Sequence, residues 1–445
     1  MKHSSLVYEF IINHFRTFKY VRECFYILFS IHFILLISSC FCDFKWGATI
    51  VLLSCLILIF LTVHIIIHKY DKSQYLNCMF WLYIVWGVYC ILEIANPNNV
   101  MYAWAISFAH YFVFPIICAL VVPIAIKHTK DIHILLIIWS VFVLIMVFKG
   151  IWQQYVGFND KELLFLYAKG GARTHVIWSG VRYFSFFTDA ANFGVHMALS
   201  AATFGATIFY TRSSNLKVYY FFVFLAALYG MAISCTRTAI PVFFVALLIS
   251  ILLLKKWKII VSGLAVMAVL FTFFYFTTIG NGNLYINKIR SSFSPTKDAS
   301  YLVRLSNRKQ ISFLMKNRPF GYGQGLSKSD RFNPKEVMPF PPDSWLVSVW
   351  VENGIVGFVL YLLLLLILFV RCFWIVLFKI KHDRLRGLLV AWLSMDVGFF
   401  VATMGNDVMQ YPNSIVVYTG LALCLAGPYI DRNFKKRIIL RKELL

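Results

Sequence analysis

Six side chains in this sequence combine a type and a placement suited to group transfer on an anionic substrate. Arg182, Arg237, Arg304 and Arg308 are candidate anion holders, and Asp343 and Glu352 are candidate proton acceptors. Arg304 and Arg308 stand one helical turn apart in a stretch predicted to be helical over 298–315, after the Ser294-Pro295 break and with Asp298 as its cap. On that helix Leu302, Leu305 and Phe313 share one face, and Arg304, Arg308 and Met315 share the opposite one. Two guanidinium groups one turn apart can grip a diphosphate through paired, charge-assisted hydrogen bonds that lysine does not reproduce. A solvated basic face is the alternative reading.

Arg237 lies in the very short turn Ser234-Cys235-Thr236-Arg237-Thr238 between two apolar runs, and snorkelling to headgroups is its alternative role. Arg182 opens the segment Arg182-Tyr183-Phe184-Ser185-Phe186-Phe187-Thr188-Asp189-Ala190-Ala191-Asn192-Phe193-Gly194, where Asp189 and Asn192 read as caps of the following helix. Asp343 occupies the expected N-cap position of the helix that runs to Glu352-Asn353-Gly354, so capping and base catalysis are both open to it. Glu352, on an apolar stretch near the membrane interface, is expected to pair with an arginine. Asp396, inside an apolar run, is expected to be buried and paired, and His32, His64 and His110 read as helix-packing or interfacial residues.

The run Pro319-Phe320-Gly321-Tyr322-Gly323-Gln324-Gly325 is read as a tight turn whose glycines permit positive φ, close approach of a substrate being the alternative. No strand precedes it and no Lys-Ser/Thr follows at Walker spacing, so it is not a nucleotide loop. The sequence has no His-Glu-x-x-His, no nucleophile elbow and no Asp-x-Asp pair for a metal-held sugar nucleotide. The chemistry therefore calls for a lipid-borne donor, with neither metal nor cofactor expected.

The elements that must carry these residues are membrane helices. Of 445 residues, 60% are hydrophobic and 14% charged, well outside the range of soluble domains. Twelve apolar runs fit the roughly 20 residues a bilayer crossing needs: 24–42, 47–68, 75–95, 101–126, 132–149, 192–211, 217–234, 238–254, 258–278, 355–378, 385–404 and 413–430. The expected fold is an all-α polytopic membrane protein forming one integral domain over 1–445. Its non-spanning parts are an N-terminal segment (1–22), two long outer segments (150–191 and 279–343) and a basic tail (431–445). Val7, Ile11, Phe15 and Phe18 have the spacing of an interfacial helix before a retained, uncleaved first span, a disordered tail being the alternative. The ten cysteines fall in or beside apolar runs, which argues against a disulfide framework.

The net charge of +23 resolves into two populations. With the N-terminus in the cytoplasm, 24 of the 42 Lys and Arg fall on the cytoplasmic side, including Lys255, Lys256 and Lys258 in one short loop and six in the tail. The short outer loops hold only Lys45 and Arg237, so both termini are assigned inside. The segment 279–343 carries eleven Lys and Arg against four acidic residues, a local net of +7, and is a candidate anion site. Attraction of a solvated loop to lipid headgroups is the alternative. The charge is dispersed between apolar runs, which excludes a nucleic-acid partner.

Taken in order, the Arg182 to Gly194 segment, the Ser234 to Ala239 turn, Arg304 and Arg308 before the glycine run, and Asp343-Ser344-Trp345 before Glu352-Asn353-Gly354-Ile355-Val356-Gly357 resemble the bacterial O-antigen polymerase and O-antigen ligase superfamily. The resemblance covers about residues 180 to 410. It implies a glycosyltransferase C-type (class B) fold in the bacterial inner membrane, with a metal-free active site facing the periplasm. It also implies an undecaprenyl-diphosphate-linked oligosaccharide as substrate, the bilayer as environment, and a chain-length regulator and a flippase as pathway partners. Arg237 and Arg304, rather than Arg308, would hold the diphosphate leaving group while an acceptor hydroxyl attacks with inversion. Ligases typically place a His where this chain has Asp343, which tilts the reading toward a polymerase with Asp343 as base and Glu352 as second candidate. Alternatives are the ligase, which transfers polymer to lipid A-core, and a non-enzymatic lipid-linked-oligosaccharide flippase or transporter.

Overall fold

The computed structural model describes residues 2–39, 46–68, 70–177, 180–253, 257–280, 282, 286–287, 290, 299–328, 332–409 and 412–443. The Ser294-Pro295 break, the Asp298 cap, Lys255 and Lys256 lie outside them, as do the side chains of Val7, Ile11, Phe15, Phe18 and Lys258. A helix occupies each of the twelve apolar runs. They are α1 (Lys2–Ser39), α2 (Trp46–His68), α3 (Cys78–Leu92), α4 (Met101–Ala125), α5 (Thr129–Tyr155) and α6 (Ala190–Ile208). There follow α7 (Ser214–Ile233), α8 (Ala239–Leu252), α9 (Trp257–Phe276), the loop helix α10 (Ala299–Met315), α11 (Trp345–Trp374), α12 (Asp383–Gly405) and α13 (Asn413–Glu443). Among the described residues eight helices are long and apolar enough to cross a bilayer, α2, α8 and α9 contribute shorter apolar stretches, and α6 falls in neither group. The N-terminal segment and first span form the single helix α1.

The surface is apolar where a soluble protein would be polar. Ile66, Phe148, Phe222, Val269 and Leu366 are among many large hydrophobic residues left exposed on these helices. Such a belt is incompatible with water and suits lipid, so the chain is a multi-pass membrane protein.

Local sequence accounts for the helix breaks and starts. In α4, the π-helical stretch Ala109–Val113 immediately precedes Phe114-Pro115, where proline has no N–H to continue the ladder. At the start of α5, Asp131 Oδ2 accepts from the backbone N–H groups of His128 (2.9 Å) and Lys127 (3.1 Å). Its other oxygen meets Arg22 of α1 at 3.2 Å, tying the two helices together. Burial pushes the Lys127 ammonium down to about 7, with Asp131 opposing.

The centre of the bundle is α6, rich in Ala, Gly, Ser and Thr and buried along most of its length. Helix α6 packs against α5, α7, α8 and α12, and its small residues permit that close approach. His196, midway along α6, accepts from Trp139 Nε1 of α5 (3.1 Å) and donates through Nδ1 to Asn413 Oδ1 of α13 (2.7 Å), which fixes its neutral tautomer.

Between α5 and α6, the first long segment folds into short helical turns and a hairpin of β1 (Val176–Ile177) with β2 (Gly180–Val181). In the second, α10 matches the expected helix. Arg304 and Met315 face the protein, and Leu302, Leu305 and Phe313 are exposed.

Candidate functional site

Asp189 caps α6 by accepting from Ala191 N (3.0 Å), and the chain leading into it delivers Arg182 to the α7–α8 turn. The guanidinium donates to Ser234 O (3.4 Å), Thr236 Oγ1 (3.2 Å) and Thr174 O (3.0 Å). Thr236 Oγ1 in turn donates to Ala190 O at 2.8 Å, so the turn that presents Arg237 is bolted to the N-terminus of α6. Gly194 makes this possible, because a Cβ there would overlap Ser234 and Thr236. Asn192, expected as a second cap, instead donates to Asp407 O at 3.3 Å.

The C-terminus of α12 completes the arrangement. Arg304 Nη1 donates to Gly405 O (3.0 Å) and Arg308 Nη2 to Met404 O (2.5 Å), satisfying carbonyls that a helix end leaves without intrahelical partners. Asn406 Nδ2 donates to Thr238 Oγ1 (2.5 Å), and Asn406 O accepts from Trp345 N (3.1 Å), two residues beyond Asp343. Burial pushes the Arg182 guanidinium below its ordinary value; Asp189 opposes that shift, and Arg304 and Arg237 add to it through like-charge repulsion. Arg304 and Arg237 thus both lie near enough to Arg182 to act on it, at one end of the bundle. Such a cluster is stabilised by an anion.

The glycine run has a structural explanation. Helix α11 is interrupted at Gly354 (φ 63°, ψ −171°), which frees the carbonyls of Val351 and Glu352 and the N–H of Val356. Tyr322 N donates to Val351 O (2.8 Å), Gly323 N to Glu352 O (3.1 Å), and Val356 N to Pro319 O (3.3 Å). Gly321, Gly323 and Gly325 all have positive φ, and a Cβ on Gly321 would strike the backbone of Val351, Glu352 and Gly354. The run is a plug seated in the α11 break.

That plug corrects the expectation for Glu352. Its buried carboxylate accepts from Ser327 Oγ (2.6 Å) and Tyr111 OH (3.0 Å) instead of pairing with an arginine. The hydroxyls satisfy it because the turn after the plug brings Ser327 onto the α11 break, while the arginines are committed to α12 and the α7–α8 turn. Asp343 also departs from expectation. Ser344 is the N-cap of α11, accepting from Val347 N at 3.4 Å, and Asp343 stands one residue earlier with an exposed side chain. Asp396 is buried as expected but unpaired: neither carboxylate oxygen has a hydrogen-bond partner among the described residues, because it faces Gly420 on α13.

Residues 222–362 match the family model described as O-antigen ligase. Over these residues the chain is similar to the O-antigen polymerase and ligase superfamily. The match is confined to those residues and supports an enzyme of the O-antigen ligase and polymerase type. The matched stretch contains Arg237, Arg304, Arg308, Asp343, Glu352 and the glycine plug, while Arg182 and the α12 end lie outside its limits. No curated protein matches the chain.

Two residues at this end escaped the sequence reading. Asp407 Oδ2 pairs with Lys328 Nζ at 2.6 Å, pinning the loop after the glycine plug to the end of α12. Asn406 holds the corner between α8 and α11. Their signal was the polar Gly405-Asn406-Asp407 exit of an apolar span, which alone does not indicate a partner.

Proposed function

We propose that this chain is an O-antigen or capsular polysaccharide polymerase that transfers a growing glycan from undecaprenyl diphosphate to a sugar hydroxyl of another lipid-linked repeat unit. The observation that carries the reading is the convergence of Arg182, Arg237 and Arg304, held by the α12 end and the α7–α8 turn. In the reaction the bond between the anomeric carbon and the diphosphate oxygen breaks as the acceptor oxygen bonds to that carbon from the opposite side, inverting it. The departing diphosphate gains charge in the transition state, where preorganised guanidinium groups stabilise it most. Arg237 and Arg304 would contact the diphosphate, and Arg182, already bonded to the turn, would hold Arg237 in place and add field; Arg308 would fix α10 on α12.

The acceptor's proton needs a base. Asp343 is the better candidate, since it is exposed, free of a capping role and adjacent to the residues that join Asn406. Glu352 is committed to two hydroxyls and is the weaker one. All twelve apolar helices would cross the inner membrane in a glycosyltransferase C-type fold, with both termini cytoplasmic and the site periplasmic, as the short-loop charges favour.

The description of the matched family favours a second reading, ligation of polymer to lipid A-core. A deletion strain separates them. Loss of a polymerase leaves core capped with a single repeat, whereas loss of a ligase leaves bare core and polymer on undecaprenyl diphosphate. A flippase would instead trap single repeats in the cytoplasmic leaflet.

A further inference from the structure

At the opposite end of the bundle from the arginine cluster lies a cavity of about 260 Å³. The C-terminal end of α6, the C-cap of α8 and the first turns of α12 enclose it. Phe209, Leu253 and Val390 give it an apolar side, and Tyr210, Asp383, Arg384 and Arg386 a polar one. Gly387 shapes the wall: any Cβ there would overlap the Tyr210 ring, so the ring can lie directly against the α12 backbone.

The charges around it do not balance. Arg386 is mostly buried and pairs with Asp383 at 2.6 Å, but that carboxylate side chain is 71% exposed, which weakens the pair. Arg384 makes no hydrogen bond or ion pair among the described residues, so one carboxylate faces two guanidinium groups. Charges that serve only to orient a span need no cavity, whereas these line one with hydrocarbon on its other side. Arginine over an apolar recess, at the end of membrane helices, suits a phosphate carrying an acyl chain.

We propose that this cavity binds the phosphate headgroup of an anionic phospholipid, with Arg384 and Arg386 on the phosphate and the first acyl carbons against Leu253 and Val390. The site would anchor the α6, α8 and α12 ends that carry the arginine cluster at their far side, and it stands independently of which glycan is transferred.

The test is native mass spectrometry of the full-length protein in mild detergent, with phosphatidylglycerol titrated back after delipidation. The expected result is one phosphatidylglycerol per chain, its apparent affinity falling roughly fivefold in Arg384→Gln and in Arg386→Gln. Val390→Phe, which fills the cavity without changing charge, should also lose the lipid. Lys381→Gln, an exposed charge on the same face that does not line the cavity, should bind as the parent does. An equal loss in Lys381→Gln would overturn the proposal in favour of general attraction to the headgroup layer. Occupancy by inorganic phosphate alone, displacing phosphatidylglycerol, would assign the cavity to a soluble anion and overturn it as well.

Discussion

Asn406 Nδ2 donates to Thr238 Oγ1 at 2.5 Å, joining residues 168 positions apart. Through its backbone the same asparagine accepts from Trp345, and its neighbour Gly405 accepts from Arg304. One corner therefore sets the separation of Arg237, Arg304 and Asp343, the three groups to which leaving-group stabilisation and proton transfer are assigned. Asn406→Ala should lower glycan extension at least tenfold through kcat, since an ångström of misplacement costs that much or more. Thermal stability should fall by only about 1 kcal/mol, the usual worth of one hydrogen bond. Parallel kinetics and thermal melts check this, and a proportionate loss of both would reduce Asn406 to a structural residue.

The two carboxylates separate by the kind of damage their removal does. Asp343→Asn leaves the Ser344 cap intact and should melt like the parent while losing about 10²- to 10⁴-fold in extension rate, the range of a general base. Glu352→Ala strands the Ser327 and Tyr111 hydroxyls in a buried site, at about 1–3 kcal/mol for each group left unsatisfied. A normal rate in Asp343→Asn would remove it from the mechanism.

Gly321→Ala would drive a methyl group into the Val351 and Glu352 carbonyls and force a left-handed φ on alanine. The plug should leave the α11 break, and the protein should melt about 2 kcal/mol or more below the parent. Limited proteolysis should then cut near residues 319–327, and resistance equal to the parent's would contradict the plug.

Much of this was legible in the sequence, and what was not has a common cause. Hydropathy located the apolar helices, eight of which among the described residues are long enough to cross, because a bilayer sets a minimum length for a span. The spacing of Arg304 and Arg308 placed them on one helix face, and the glycines of 319–325 announced positive φ. The partners of Glu352, the release of Asp343 from capping and the Asn406 corner depend on which chain segments meet across the fold. Glu352 finds Tyr111 across 241 positions, and no local pattern encodes that. The expectation of an arginine partner failed because two hydroxyls are enough for a carboxylate at that depth.

His175 gives the outer segment a pH signature. Its Nε2 accepts from Ala190 N (3.2 Å) and its Nδ1 bonds to Gly171 O (2.9 Å), which requires a neutral ring. Burial pushes its pKa below the ordinary 6.5, and Arg182 adds to this against the opposing Gly171 carbonyl and Asp189. A depressed folded-state value means the unfolded chain binds the extra proton first. This contribution is full above the ordinary value and is lost as pH falls through the folded one. Melting temperature should therefore drop on acidification below about pH 6.5, and His175→Gln should flatten that part of the profile. An unchanged profile would show that His175 does not titrate in this way.

The arginine clamp is tested most directly by glycan extension with purified protein, lipid-linked repeat units and a chelator in place of metal. The parent should extend the repeat. Arg237→Ala and Arg304→Ala should each lose about 10²- to 10³-fold in rate, the scale of a transition-state donor, and lysine should restore little at either position. Full extension activity in both alanine variants would contradict the account.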